Sequence, residues 1–346
     1  MPEICGYKPG DEKEILELFT RVFGKKRSME HWRWENKENP RGESEFALLK
    51  DDGREGNRIK GHLCLHPSLL QADGKQLMAG QRINLMLDKE YRGQSYFGKM
   101  FAHLLESGRK KGMLFTYGFP NAQSFKALRK VYNAKELGEI PRFVKFYDGF
   151  KAARHFLGNR LVAFVAGCFL QVLLGMKKKR TAKSEGVFEV TKFDSRFDEL
   201  WQKASQGLNV ATVRDSVYLD WRYGRSARDY KIWAFAEEDG SISGYLVLLV
   251  EKEIGHIIDL LALEDSEALP ALLGRAEAYC KDRCHTLSCW CLDRGQVSSV
   301  LQKHGFMRIR SPNRLVFANL DCPAGLEEIL LDYNNWYITM GDSDYK

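Results

Sequence analysis

Apolar and polar positions recur twice in the same order along this chain. Residues 46–65 read FALLKDDGREGNRIKGHLCL and residues 233–248 read WAFAEEDGSISGYLVL. Each is an apolar strand, an acidic-glycine turn, then Ile-x-Gly leading into an alternating apolar strand. Gly53 and Gly240 match within the turns, as do Gly61 and Gly244 just after them. Upstream, each copy has a Trp-bearing helical stretch, with Trp32 and Trp34 in one and Trp221 in the other. Downstream, each continues with a strand, 83–88 or 256–263, and then a helix, a strand, a helix and a closing strand. The economical account is one α/β unit present twice; the alternative is two unrelated α+β domains that share a common hairpin.

Between the copies, residues 161–176 (LVAFVAGCFLQVLLGM) carry no charge, and Lys177, Lys178, Lys179 and Arg180 follow directly. As a helix this stretch is about 24 Å long, short of the ~30 Å hydrocarbon core of a bilayer. Two readings stand. One is a segment lying on the cytoplasmic face of a membrane, with its lysines near anionic head groups. The other is a buried helix with a solvated basic end. No apolar run reaches the ~20 residues that span a bilayer, and the first residues lack the basic and apolar regions of a secretory signal. The expected location is the cytoplasm, with peripheral contact to the inner membrane through the stretch from Leu161 to Arg180.

Composition narrows the class. With 346 residues, 44% hydrophobic and 12% aromatic, the chain can bury two sizeable cores. The net charge of +7 is local: from Arg142 to Lys183, ten Lys and Arg face the single acid Asp148, so the remainder is slightly acidic. That argues against a general nucleic-acid binder. Eight cysteines read as reduced thiols. Cys280, Cys284, His285, Cys289 and Cys291 match no common zinc spacing, so no metal is expected.

The strand 83–88 (INLMLD) runs into Lys89-Glu90-Tyr91-Arg92-Gly93-Gln94-Ser95-Tyr96-Phe97-Gly98, and a helix is expected to about Lys111. A strand, an Arg-Gly turn and a helix start gather backbone N–H groups, the positive helix end and a cation where a pyrophosphate would sit. The next strand, 113–118, leads into Phe119-Pro120-Asn121 and a further helix.

This stretch resembles motif A of the GNAT acyltransferase superfamily, whose strand, R/Q-x-x-G-x-G/A loop and helix bind coenzyme A. The order of elements over residues 1–147 is also similar to GNAT proteins. The resemblance implies an α/β (α+β mixed) protein of two tandem GNAT-like domains, each a mostly antiparallel mixed sheet flanked by helices. The expected boundaries are 1–147 for the coenzyme A-binding domain, 148–185 for the basic apolar insert, 186–325 for a degenerate second copy and 326–346 for a tail. Leu85, Met86, Leu87, Arg92, Gly93, Gln94, Ser95, Tyr96, Phe97, Gly98 and Asn121 would hold the cofactor, with Asn121 facing the pantetheine or the leaving thiol. Ser95 stands where many members have a second glycine, a change the backbone N–H groups survive. Leu128 stands where many have the tyrosine that protonates the leaving thiolate, and Tyr132 lies one turn further on. In the second copy the matching loop reads Glu264-Asp265-Ser266-Glu267-Ala268-Leu269-Pro270, whose acids would repel pyrophosphate.

The implied reaction is direct attack of an acceptor amine on the thioester of acetyl-CoA, with the oxyanion held by a backbone N–H of the motif A strand. His62 and Glu90 are the candidate bases, with His66, Asp88 and a water relay as alternatives. Trp221, Arg222 and Tyr223 would line the acceptor side. The acceptor is expected to be a small amine or an envelope-glycan precursor. Rival readings are a Fem-like or acyl-carrier-protein-dependent acyltransferase and a non-catalytic scaffold of envelope assembly.

Overall fold

The computed structural model describes residues 2–51, 58–131, 134–156 and 185–344. The turn with Gly53, the candidate Tyr132 and the segment from Leu161 to Arg180 lie outside the described residues. In chain order the strands are β1 (Glu3–Cys5), β2 (Glu45–Asp51), β3 (Arg58–Ala72), β4 (Lys75–Leu87), β5 (Phe115–Gly118), β6 (Lys135–Glu139), β7 (Arg142–Phe146) and β8 (Val187–Glu189). They continue as β9 (Val210–Thr212), β10 (Tyr230–Ala236), β11 (Ile242–Glu251), β12 (Ile254–Ala262), β13 (Thr286–Trp290), β14 (Met307–Ile309) and β15 (Arg314–Asn319).

The chain forms two compact units, the first of 1–139, 209–213 and 312–336, the second of 140–208, 214–311 and 337–346. In the first, the sheet runs β1-β2-β3-β4-β5-β15-β6. It is antiparallel except where β4 and β5 lie parallel. The β3–β4 turn is Asp73-Gly74, both at positive φ (51° and 69°), the pairing that a two-residue hairpin with right-twisted strands demands. One face is covered by α1 (Glu12–Phe23) and α2 (Met29–Lys37). Ile15, Leu18, Phe19 and Trp32 of these helices pack with Phe46, Leu48, Cys64, Ile83 and Met86. The Ser28 side chain accepts from the His31 N–H and starts α2. On the other face lie α3 (Tyr96–Lys110) and α4 (Ala122–Val131), where Met100, Phe101, Leu104, Leu105 and Leu128 meet Leu63, Leu65 and Val316.

The second unit repeats the plan, with sheet order β14-β7-β13-β12-β11-β10-β8, parallel only at β12–β13. The helix Ala268–Cys280 packs Leu269, Leu272, Leu273 and Ala276 against Trp233, Leu246, Leu248 and Leu287. Cys280, Cys284, Cys289 and Cys291 are small buried members of this core.

The duplicated mixed fold expected from the sequence is what the chain adopts, but contiguous boundaries at 147 and 186–325 do not describe the units. β7 follows β6 yet pairs with β13 and β14, and β15 follows β14 yet pairs with β5 and β6. Each half therefore supplies a strand to the other half's sheet. Residues 312–336, assigned from sequence partly to the second copy and partly to a tail, belong to the first unit. The apolar pattern marks a strand as buried and does not encode which sheet receives it. Among the described residues, no helix is long and apolar enough to cross a membrane.

Candidate active site

The site grows from a defect in β4. Met86 pairs with His62, but Ile83 pairs with Cys64, so one residue of β4 is extra. Asn84 takes a left-handed conformation there, φ 51°, which Asn tolerates better than most residues. The bulge reverses the phase of the strand. Beyond it the Asp88 N–H donates to Lys60 O at 2.8 Å, so by alternation the N–H groups of Leu85 and Leu87 turn to the β5 side. That side is open: the β4–β5 ladder spans only Ala79–Gln81 against Phe115–Tyr117. Gly118 marks the narrow end, where a Cβ would stand 3.1 Å from Arg82 O.

At the wide end, the short helix Lys89–Tyr91 and Gly93 (φ 77°) deliver the chain to α3. The Ser95 side chain makes no capping bond and the first turn holds no acid, so the leading N–H groups keep their capacity for an anion. Arg92 through Ser95 are exposed. Arg92 Nε donates to Leu87 O at 2.9 Å, and Gln94 Nε2 to Glu90 O at 2.7 Å, which ties the loop to the strand it leaves. The Tyr91 hydroxyl bonds Asp51, and this bond, with burial, pushes the phenol up to about 12. Tyr96 and Phe97 are half-buried and pack on the α3 core.

The expected cofactor residues Leu85, Met86, Leu87 and Arg92 to Gly98 thus form one continuous strand and loop. Asn121, exposed at the far lip, accepts from the Ser124 N–H at 2.8 Å and caps α4. Leu128 is 3% exposed and part of the core. Glu90 is exposed on the short helix, and Asp88 is ion-paired with Arg21 at 3.1 Å.

His62 is elsewhere. It is 2% exposed on the α1/α2 face, and its Nδ1 donates to Asn84 O at 2.9 Å; a carbonyl only accepts, which places the ring proton on that nitrogen. Asn84 Nδ2 in turn donates to Glu35 Oε2 at 3.1 Å, and Glu35 is ion-paired with Arg27. His66 Nε2 meets Asn36 Oδ1 at 3.3 Å. This buried chain of Arg27, Glu35, Asn84 and His62 fixes the bulge from behind. The sequence reading missed all of it except His62; the available signal was a lone Asn inside the apolar strand INLML.

The second unit fills the matching place with protein. The pairings Gly61–Leu87 and Gly244–Ala262 put Asp259 where the first unit has Asn84. Asp259 and Arg214 are each 1% exposed. Asp259 accepts from Arg214 Nε at 3.1 Å, Thr339 Oγ1 at 2.9 Å, and the Tyr223 and Tyr245 hydroxyls at 3.0 Å each. Arg214 also donates to Asp342 at 2.7 Å. Burial works against the Arg214 charge, and the two carboxylates outweigh it, raising its pKa further. Arg222 donates to the carbonyls of Gly341 and Ser343 at 3.1 and 2.7 Å. Arg222 and Tyr223 thus pack against the C-terminal residues, while Trp221 is buried beside Tyr218. The loop before the second unit's helix ends on Glu267 as its N-cap.

Among the described residues, no group of three or more His, Cys, Asp or Glu is placed to hold a metal ion. The Cys280 and Cys284 thiols share a hydrogen bond that pushes Cys280 up and Cys284 down.

The first unit is thus a mixed sheet that bulges, opens between two parallel strands and ends in a glycine turn and a helix N-terminus. Residues 3–131 of the chain match the family model described as an acetyltransferase (GNAT) domain. No curated protein sequence matches the chain. Among solved structures, a probable N-acyltransferase from Enterococcus faecalis aligns with 93% of this chain and 73% of its own, at TM-score 0.67 and 12% identity. A GCN5-related N-acetyltransferase from Anabaena variabilis aligns with 92% and 72%, at TM-score 0.65 and 13% identity. Saccharomyces cerevisiae N-myristoyltransferase with bound myristoyl-CoA aligns with 93% and 79%, at TM-score 0.62 and 12% identity. At such identities the likeness is one of fold, and it extends over both units.

Proposed function

We propose that the first unit transfers an acyl group from an acyl-coenzyme A thioester to an amine. The observation that carries this reading is the open gap beyond Gln81 and Tyr117, lined by the Leu85 and Leu87 N–H groups and ending at the Gly93 turn and α3. The pantetheine arm would lie along β4 as an added strand. The pyrophosphate would meet the backbone from Arg92 to Gly98, and Asn121 would face the arm from the opposite lip. The thioester carbonyl would accept from the Leu85 N–H, a donor already aimed before charge develops. In this reading His62 acts through Asn84, holding the bulge that aims the donor, while Glu90 or solvent takes the amine proton. The acyl group is acetyl and the acceptor a small amine, with an envelope-glycan precursor as one class of it. The second unit binds no acyl-CoA, since its loop is acidic and its bulge is covered by residues 339–343.

Calorimetric titration of acetyl-CoA tests this. Wild type is expected to bind, and Arg92→Glu with Gly93→Asp to weaken binding at least tenfold, about 1.4 kcal/mol. Absence of binding to wild type would replace this reading with the carrier-protein-dependent or scaffold reading, which the buried Leu128 favours.

A further inference from the structure

An asparagine or aspartate side chain readily bonds a neighbouring backbone N–H, and the second unit does this at its bulge. By the pairings Gly61–Leu87 and Gly244–Ala262, Leu260 corresponds to Leu85 and Asp259 to Asn84. There the Leu260 N–H donates to Asp259 Oδ1 at 3.0 Å, so the donor is consumed by its own neighbour. In the first unit the Asn84 side chain is drawn elsewhere: its Nδ2 donates to Glu35 Oε2 at 3.1 Å. Glu35 is ion-paired with Arg27, and the two side chains are 6% and 7% exposed. The Arg27 guanidinium lies 4.1 Å from the centre of the Phe19 ring, which anchors the pair to α1 as well as α2. We infer that Glu35, held by Arg27, is a positioning residue that keeps the Leu85 N–H open to the thioester oxygen. The inference rests on the acyl-CoA reading above.

The main chain is held from the same face. The Asn84 carbonyl and the Leu85 N–H belong to one planar trans peptide and point in opposite directions. His62 Nδ1 donates to that carbonyl at 2.9 Å, which turns the N–H to the β5 side and polarises it as a donor. Two contacts therefore serve one N–H: His62 aims it, and Glu35 keeps the Asn84 side chain from taking it. The N–H then holds the charge that develops on the carbonyl oxygen as the amine attacks. Glu35 touches no reacting atom and exchanges no proton; its effect passes through Asn84.

Two ligands test this without an acceptor: acetyl-CoA, and S-ethyl-coenzyme A, a thioether of the same length that lacks the carbonyl oxygen. Calorimetry gives the ratio of their affinities, which reads the bond to that oxygen; a net hydrogen bond is worth about fivefold. Wild type is expected to favour acetyl-CoA by about that factor. Arg27→Met with Glu35→Met removes the pair without stranding a buried charge. It should bring the ratio to about one while S-ethyl-coenzyme A binds as in wild type. Adding Asn84→Gly should restore the preference, because glycine accepts the left-handed conformation and has no side chain to take the N–H. A role in stability alone would lower the melting temperature and leave the ratio unchanged. A ratio of about one in wild type, an equal ratio in wild type and the double variant, or no recovery with Asn84→Gly overturns the inference and leaves the acyl-CoA reading standing. Failure of both ligands to bind wild type overturns both. If the double variant does not fold, Asn84→Asp decides. Its carboxylate, repelled by Glu35, should take the Leu85 N–H as Asp259 takes that of Leu260, and an unchanged ratio overturns the inference.

Discussion

His256 shows how much one buried side chain can set. It is 4% exposed, with Nδ1 at 3.0 Å from Ser288 Oγ. Burial, aided by the Arg142 charge, pushes its pKa from 6.5 down to about 3. The unfolded chain therefore binds a proton below pH 6.5 that the folded protein refuses, so stability is full above that pH and falls as pH drops toward 3. The slope from this one residue approaches 1.4 kcal/mol per pH unit. Urea unfolding at pH 6.5 and 5.5 should show most of that difference, and His256→Gln should flatten it; an unchanged slope would mean that the ring is protonated in the fold. At this scale the sequence was only partly legible. Arg92 and Gly93 announce themselves because loop chemistry is local. His62 looks like a base in sequence, and its partner Asn84 looks like nothing, because each acquires its role from a contact 22 positions away.

The element of most consequence in the second unit is the short turn Met340–Asp342. Thr339 and Asp342 close a capping box there, and Asp342 and Thr339 complete the Arg214–Asp259 cluster. The turn comes so close to the π-helical turn Asp220–Gly224 that a Cβ at Gly341 would overlap the Tyr223 hydroxyl and lie 3.3 Å from Ile258 O. Gly341→Ala should cost about 1–3 kcal/mol, the range for overpacking. Tyr223→Phe should cost about 1 kcal/mol alone, since Asp259 loses one donor of several. Together they should cost less than their sum, because the phenylalanine vacates the space the methyl needs. Chemical denaturation of the four proteins measures this; strict additivity would show that the turn is not packed against Tyr223. The sequence set these residues apart as a tail, but not its seat, which depends on a charge cluster assembled from residues 214, 259 and 342.

For the whole molecule, the decisive feature is that each sheet contains a strand from the other half of the sequence. β15 lies between β5 and β6, with Leu315, Val316 and Phe317 fully buried. A fragment of residues 1–147 lacks it, and β5 is left with an open edge and an uncovered aromatic cluster around Phe115 and Tyr117. Such a fragment should show no cooperative thermal unfolding by circular dichroism. Co-expression with residues 148–346 should restore it. Cooperative folding of 1–147 alone would show that the exchanged strand is dispensable.

The sequence by itself determined the elements, their duplication and the strand, glycine turn and helix start proposed to bind an anion. These follow from period-two and helical apolar spacing, turn residues and a short run of Arg and Gly, all of which act over a few residues of chain. Tertiary structure alone decided which sheet receives β7 and β15, where β4 bulges, and that His62, Asn84 and Glu35 meet behind that bulge. A buried strand satisfies its backbone and side chains equally well in either of two similar sheets. Only the closing of specific contacts between distant residues selects one.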